Sequence, residues 1–200
     1  MGVLKVAITG NIGSGKSYVC ALFQRLGIPV FDSDAEAKKL YDRPEIREAI
    51  IARFGASVYQ ADGSIDRKRL AGVLFSDACA LGFVESTLYP VLNAWFAEWA
   101  EQQHAYYVLY ESALIFEKHL EHLFDAIIVV SASEETRMRR VMLRDHCTEE
   151  QVRSRMTLQW PQSEKVTLAD YVVVHEEDDE DAFLWEQISM INTGLQSAAF

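Results

Sequence analysis

The chain has 200 residues, half of them hydrophobic, and a formal net charge of −11. That length and apolar content suit one α/β domain with insertions and exclude a disordered chain. The acidic excess argues against nucleic acid as a partner, because such binding draws its affinity from neutralising phosphates.

Residues 3–9 are an apolar run that reads as a buried strand. Gly10-Asn11-Ile12-Gly13-Ser14-Gly15-Lys16-Ser17 follows and matches G-x-x-x-x-G-K-[ST], the phosphate-binding loop of ATP- and GTP-using proteins. A helical pattern over 19–26 completes the strand–loop–helix context that gives the motif weight. Its glycines let successive N–H groups face one point, and the helix adds the positive end of its dipole. In such a loop Asn11, Ile12, Gly13, Ser14 and Gly15 surround the phosphates. Lys16 reaches the β- and γ-phosphates, and the Ser17 hydroxyl sits on a magnesium ion.

A second strand over 28–31 ends in Phe31-Asp32-Ser33-Asp34. Ligands of an open parallel sheet gather outside the carboxyl ends of its strands. One of these carboxylates can therefore take a hydroxyl proton while another holds magnesium through water, although Ser33 or Asp34 can equally start a helix at Ala35. Residues 35–105 read as an inserted helical subdomain containing Pro44, Gly55, the turn Ala61-Asp62-Gly63-Ser64 and Pro90. Phe83, Tyr89, Trp95, Phe96 and Trp99 are read chiefly as its core.

A third strand over 106–110 leads to Glu111, a magnesium–water ligand or a partner for a nearby base. His119 and His122, near Glu117 and Glu121, are too loosely spaced for a metal centre and read as a solvated helix end. After a fourth strand over 126–130, capping boxes at Ser131/Glu134 and Thr148/Gln151 predict helices over 133–145 and 149–160, hinged at Asp145-His146-Cys147. Arg137, Arg139, Arg140 and Arg144 lie on the first, and Arg140 and Arg144 share a face. They read either as phosphate-neutralising groups on a mobile segment or as ion-pair partners of Glu134 and Glu135; Arg153 and Arg155 pose the same choice. A fifth strand over 171–174 precedes the acidic run 176–181, read as a solvated loop before a last helix.

Short apolar strands separated by helices predict a three-layer α/β fold, a parallel sheet of about five strands covered on both faces. Cys20, Cys79 and Cys147 form no C-x-x-C pair and read as reduced thiols. No charged leader precedes the first strand, and no apolar run nears the roughly 20 residues of a membrane span. The expectation is a cytoplasmic protein without a membrane partner.

From Thr9-Gly10 to Ala169-Asp170 the chain resembles the dephospho-CoA kinase family nearly end to end. The likeness rests on the ordered set of the phosphate loop, Asp32-Ser33-Asp34, Phe54-Gly55, Asp62-Gly63 with Asp66-Arg67, Leu114-Ile115-Phe116-Glu117, Arg140 with Arg144-Asp145, Gln159, and Ala169-Asp170. It departs at Tyr89-Pro90, where the family often has His-Pro, at Glu111-Ser112-Ala113 for Asp-x-Pro, and at His175 for asparagine.

The resemblance implies transfer of the γ-phosphoryl group of ATP, with Mg2+, to the ribose 3′-hydroxyl of dephospho-CoA. It places the core at 1–34, 106–132 and 161–200, a CoA-binding subdomain at 35–105 and a lid at 133–160. Lys16, Asp34 as base and Arg140 are the implied catalytic residues. Arg140 and Arg144 join the loop on the nucleotide, while Asp34, Arg67, Tyr89 and Glu111 face the acceptor, and Ser17 and Asp32 serve the metal. A monomer or weak homo-oligomer is expected. Two alternatives stay open: a kinase for another small hydroxyl or nucleotide, and a catalytically weak nucleotide sensor. A GTPase switch would carry Asn-Lys-x-Asp and Asp-x-x-Gly segments, which the chain lacks.

Overall fold

In β1 (Leu4–Thr9), Val6 and Ile8 point to one side, Ala7 and Thr9 to the other, and all four are fully buried. A strand with no wet face belongs inside a parallel sheet. The computed structural model describes residues 2–77, 79–176 and 181–199 and places β1 at the centre of such a sheet. The other strands are β2 (Val30–Asp32), β3 (Tyr107–Glu111), β4 (Ala126–Ser131) and β5 (Tyr171–Val174), and the order is β2-β3-β1-β4-β5. Every pairing is parallel; Ile8 and Asp32 both lie beside Glu111, at the carboxyl end of β3.

The helices, in chain order, are α1 (Lys16–Arg25), α2 (Ser33–Leu40), α3 (Pro44–Phe54), α4 (Arg67–Ser76), α5 (Ala80–Glu101), α6 (Glu134–Asp145), α7 (Glu149–Met156), α8 (Gln162–Thr167) and α9 (Asp181–Ala198). One sheet face meets α1 and α9. Leu184, Ile188, Ile191 and Leu195 recur at helical spacing on α9 and pack with Val19, Leu22 and Phe23 of α1 against Val6, Ile8, Leu109, Ile128, Val130 and Val173. Burial of each large side chain contributes roughly 1.5–3 kcal/mol. On the other face Tyr110 lies between the rings of Phe31, at 5.6 Å, and Phe124, at 5.2 Å.

The chain forms two compact units, residues 1–32 with 100–200, and Ser33–Trp99. In the second, Pro44 occupies the first turn of α3, where a missing N–H costs nothing, and Asp66 caps α4 by accepting from Arg69 N at 3.0 Å. Pro90 lies inside α5. Burial of Val84, Leu88, Leu92, Phe96 and Ala100 along one stripe of that helix offsets the roughly 3 kcal/mol a mid-helix proline costs. Of the five aromatics read as core, only Phe96 is buried; Trp95 is half-buried, with the Arg43 guanidinium 5.0 Å from its ring centre.

Several boundaries differ from the sequence reading. The second strand starts at Val30 because Gly27 N and Ile28 N still serve the last carbonyls of α1, at Gln24 and Phe23. The cap of α6 is Ser133, not Ser131, which β4 pairs with Val174. The helix expected over 149–160 stops at Met156. Residues 177–180 of the acidic run lie outside the described residues. Glu176 is no solvated loop residue: it accepts from Ser133 Oγ at 2.9 Å and Thr136 Oγ1 at 2.6 Å at the head of α6. Among the described residues no helix is long and apolar enough to cross a membrane.

Candidate active site

The phosphate loop leaves the carboxyl end of β1 and enters α1 at Lys16. Gly15 caps α1 in the left-handed region, φ 90°, and offers no side chain to the first-turn N–H groups. Groups at that position have no intrahelical acceptor, and such groups suit an anion. A Cβ on Gly15 would collide with His175 Nδ1, and one on Gly13, φ 82°, with the Arg137 backbone. Packing and dihedral angle therefore demand glycine at both places.

The loop is tied on its outer side. Asn11 Nδ2 donates to Trp160 O at 2.9 Å, and Ile12 N donates to Gln159 Oε1 at 2.8 Å. The Ile12 N–H is thus engaged by protein. Ser14 is buried, and its N donates to Asn11 O at 3.0 Å, closing the turn. Lys16 Nζ donates to Gly10 O at 2.8 Å, so its ammonium lies along the loop.

Ser17 Oγ donates to Glu111 Oε1 at 2.8 Å. With Asp32 next to Glu111 in register, a hydroxyl and two carboxylates collect at the ends of β1, β2 and β3. Hard oxygens of this kind fit a magnesium ion with its own waters. Cys20 lies near them but is buried; burial first, and the Glu111 charge second, push its thiol well above its ordinary value, which excludes a thiolate nucleophile.

The arginines of α6 divide. Arg140 Nη1 donates to His175 O at 3.0 Å and lies 3.4 Å from Ser14 O, at the loop. Arg144, four residues on, instead grips Asp145 with Nε to Oδ1 at 2.7 Å and Nη2 to Oδ2 at 3.1 Å. Arg155 reaches the same carboxylate at 2.6 Å, and Arg153 pairs with Glu134 and Glu149. Arg144 and Arg155 thus brace the bend at His146, φ 51°, rather than the loop. Arg144 was expected on the nucleotide; here its fork is on Asp145. Arg137 is buried and donates from Nε to Ala132 O.

Asp34, Arg67 and Tyr89 belong to the second unit. Asp34 is exposed in the first turn of α2, which begins at Ser33 rather than Ala35; Arg67 is exposed at the start of α4; Tyr89 is half-buried on α5. Asp34 follows Asp32 by two residues along the chain.

Sequence reasoning missed Lys165, which is fully buried and pairs with Glu117 at 2.6 Å. It also missed the Trp160 carbonyl and the placing of His175 over Gly15, with its ring stacked 5.4 Å from that of Tyr18. A lysine in a short, mostly polar helix carried no local signal of burial. Glu117, read with the neighbouring histidines as a solvated end, is part of this buried pair.

Phosphate loop, central parallel strands and an arginine of α6 at the loop define a phosphate-loop kinase. The chain belongs to the dephospho-CoA kinase family, whose model matches residues 4–181. It is 38% identical over 176 residues to a dephospho-CoA kinase of Chlorobium luteolum, covering 84% of this chain and 80% of that one. A Thermus thermophilus crystal structure superposes with a TM-score of 0.85 at 31% identity, over 97% of this chain and 98% of the other. The dephospho-CoA kinase of Campylobacter jejuni, at 22% identity and TM-score 0.72 over 98% of each chain, shares the fold.

Proposed function

We infer that this chain is a dephospho-CoA kinase, which transfers the γ-phosphoryl group of ATP to the ribose 3′-hydroxyl of dephospho-CoA and so completes coenzyme A synthesis. The observation that carries the reading is the family match across 4–181, joined to a phosphate loop whose geometry is intact.

Within it, the N–H groups at the head of α1 and the Lys16 ammonium bind the β- and γ-phosphates. Ser17 would hold Mg2+ directly, with Asp32 and Glu111 on its waters; when bound, the ion offsets phosphate charge. Asp34 accepts the proton of the attacking hydroxyl, and Arg140 offsets charge that develops on the transferred group. Arg67 and Tyr89 bind the acceptor, and Glu111 doubles as a contact on its side. Ser33–Trp99 serves as the acceptor subdomain, and α6 with α7 as the lid that excludes water. The protein acts in the cytoplasm, as its three free cysteines suggest, and as a monomer or weak homo-oligomer.

The test is ADP release from Mg-ATP with and without dephospho-CoA. Strong stimulation with CoA as product, lost in Lys16→Ala, is the expected result. ATP binding with no stimulation would reject the acceptor and leave only the nucleotide half of the reading.

A further inference from the structure

Two segments distant in sequence from the phosphate loop meet behind it. After α7 the chain returns through Gln159 and Trp160, and these two residues supply both bonds that tie down the outer loop. Trp160 O accepts from Asn11, and Gln159 Oε1 accepts from Ile12 N. The return segment is fixed in turn from the other side: Trp160 N donates to Glu117 Oε1 at 2.9 Å. The Trp160 ring stacks on Phe116 at 6.3 Å and meets the edge of His119 at 6.3 Å. Glu117 is anchored by Lys165, whose Nζ lies 2.6 Å from the same carboxylate oxygen and donates to Ala113 O at 3.1 Å.

A buried ion pair of this kind is poor evidence for net stability. Desolvating both ions offsets most of their attraction, and an apolar pair often serves as well. What the pair does hold is a direction. The carboxylate aims one oxygen at the Trp160 N–H, and the peptide on that residue's other side aims its carbonyl at Asn11. From the Glu117–Lys165 pair we propose a positioning role: acting through Trp160, it holds Asn11 and Ile12 so that the phosphate loop is preformed for nucleotide. Neither Glu117 nor Lys165 is assigned a contact with a reacting atom. The loop needs the support because its three glycines give it little stiffness of its own. A loop already in its binding shape binds phosphates without an ordering cost.

The proposal rests on the nucleotide half of the function above, so its test uses ADP alone, with no acceptor and no turnover. Calorimetric titration would give the Kd for Mg-ADP. Glu117→Gln leaves Lys165 a buried cation without a counter-charge and lets the Trp160 turn shift; Gln159→Ala removes only the acceptor of Ile12 N. Each is expected to weaken ADP about tenfold. The double variant Glu117→Gln/Lys165→Met keeps an acceptor for Trp160 N and removes the stranded charge. It should return to within about threefold of the parent. A merely structural pair would lower Tm and leave the Kd of folded protein unchanged. Parent-like ADP affinity in folded Glu117→Gln, or in Gln159→Ala, overturns the proposal. Should Glu117→Gln fail to fold, Gln159→Ala and the double variant decide it alone. A parent protein that binds ADP yet transfers nothing to dephospho-CoA would overturn the acceptor assignment and leave this one standing.

Discussion

At Gly15 a left-handed backbone and the ring of His175 act on one Cα. Alanine there costs about 1–2 kcal/mol from the dihedral angle alone, and its methyl must also displace His175. Gly15→Ala should therefore lose measurable ATP binding, and His175→Ala in the same chain should restore part of it. No recovery would mean that the ring is not the obstacle. The two arginines that share a face of α6 should separate in the same assay. Arg140→Ala is expected to lower kcat about 100-fold, as removal of one donor to developing charge does. Arg144→Ala should change it less than about threefold, since its fork is spent on an exposed carboxylate. Equal losses would put both on the nucleotide. Asp34→Asn should lower turnover by about 10²–10⁴-fold with ATP binding kept; near-normal turnover would remove Asp34 from the base role.

Among the elements, α7 is held at its head by local bonds. Thr148 and Gln151 form a reciprocal capping box at the head of α7. Thr148→Ala should cost about 1 kcal/mol, seen as faster amide exchange across Glu149–Met156 and unchanged exchange in the sheet. The bend before it is held by Asp145. Hydrogen bonds from Arg144 first, and from Arg155 next, hold its carboxyl down at about 2. An unfolded aspartate titrates near about 3.9. The folded value is the lower one, so the ion pairs contribute fully above about pH 4 and are lost as pH falls towards about 2. Carboxyl carbon shifts of Asp145 followed by NMR should show that low midpoint and no change between pH 5 and 8. A midpoint near 4 would mean the pairs are not formed in solution.

For the whole molecule, stability and chemistry reside in different places. Ile188 is fully buried on α9, in the core that joins α9, α1 and the sheet. Ile188→Ala should cost about 2–5 kcal/mol, read from denaturant midpoints, while the KM for ATP of the folded protein stays put. A changed KM would show that this core reaches the loop. The five strands and the helices between them were legible because each strand is a short apolar run, and the three central ones, β1, β3 and β4, are buried on both faces. The phosphate loop was legible because its chemistry is contiguous in the chain. Strand and helix ends were off by one to four residues where a residue's partner decided the boundary, as Ser131 went to Val174 and left the cap to Ser133.

By itself the sequence determined the α/β alternation, the phosphate loop, the capping box at the head of α7 and, through the ordered motifs, the family. All of these are local patterns or their order along the chain. Only the tertiary structure decided which arginine of α6 lies at the loop, because Arg140 and Arg144 share a face of the helix and differ in what lies opposite: His175 O for one, Asp145 for the other. It alone brought Ser17 to Glu111 across 94 residues, and Asn11 to Trp160 across 149. Such partners share a bond through the packing of the sheet and its connections, and no period or spacing in the chain records it.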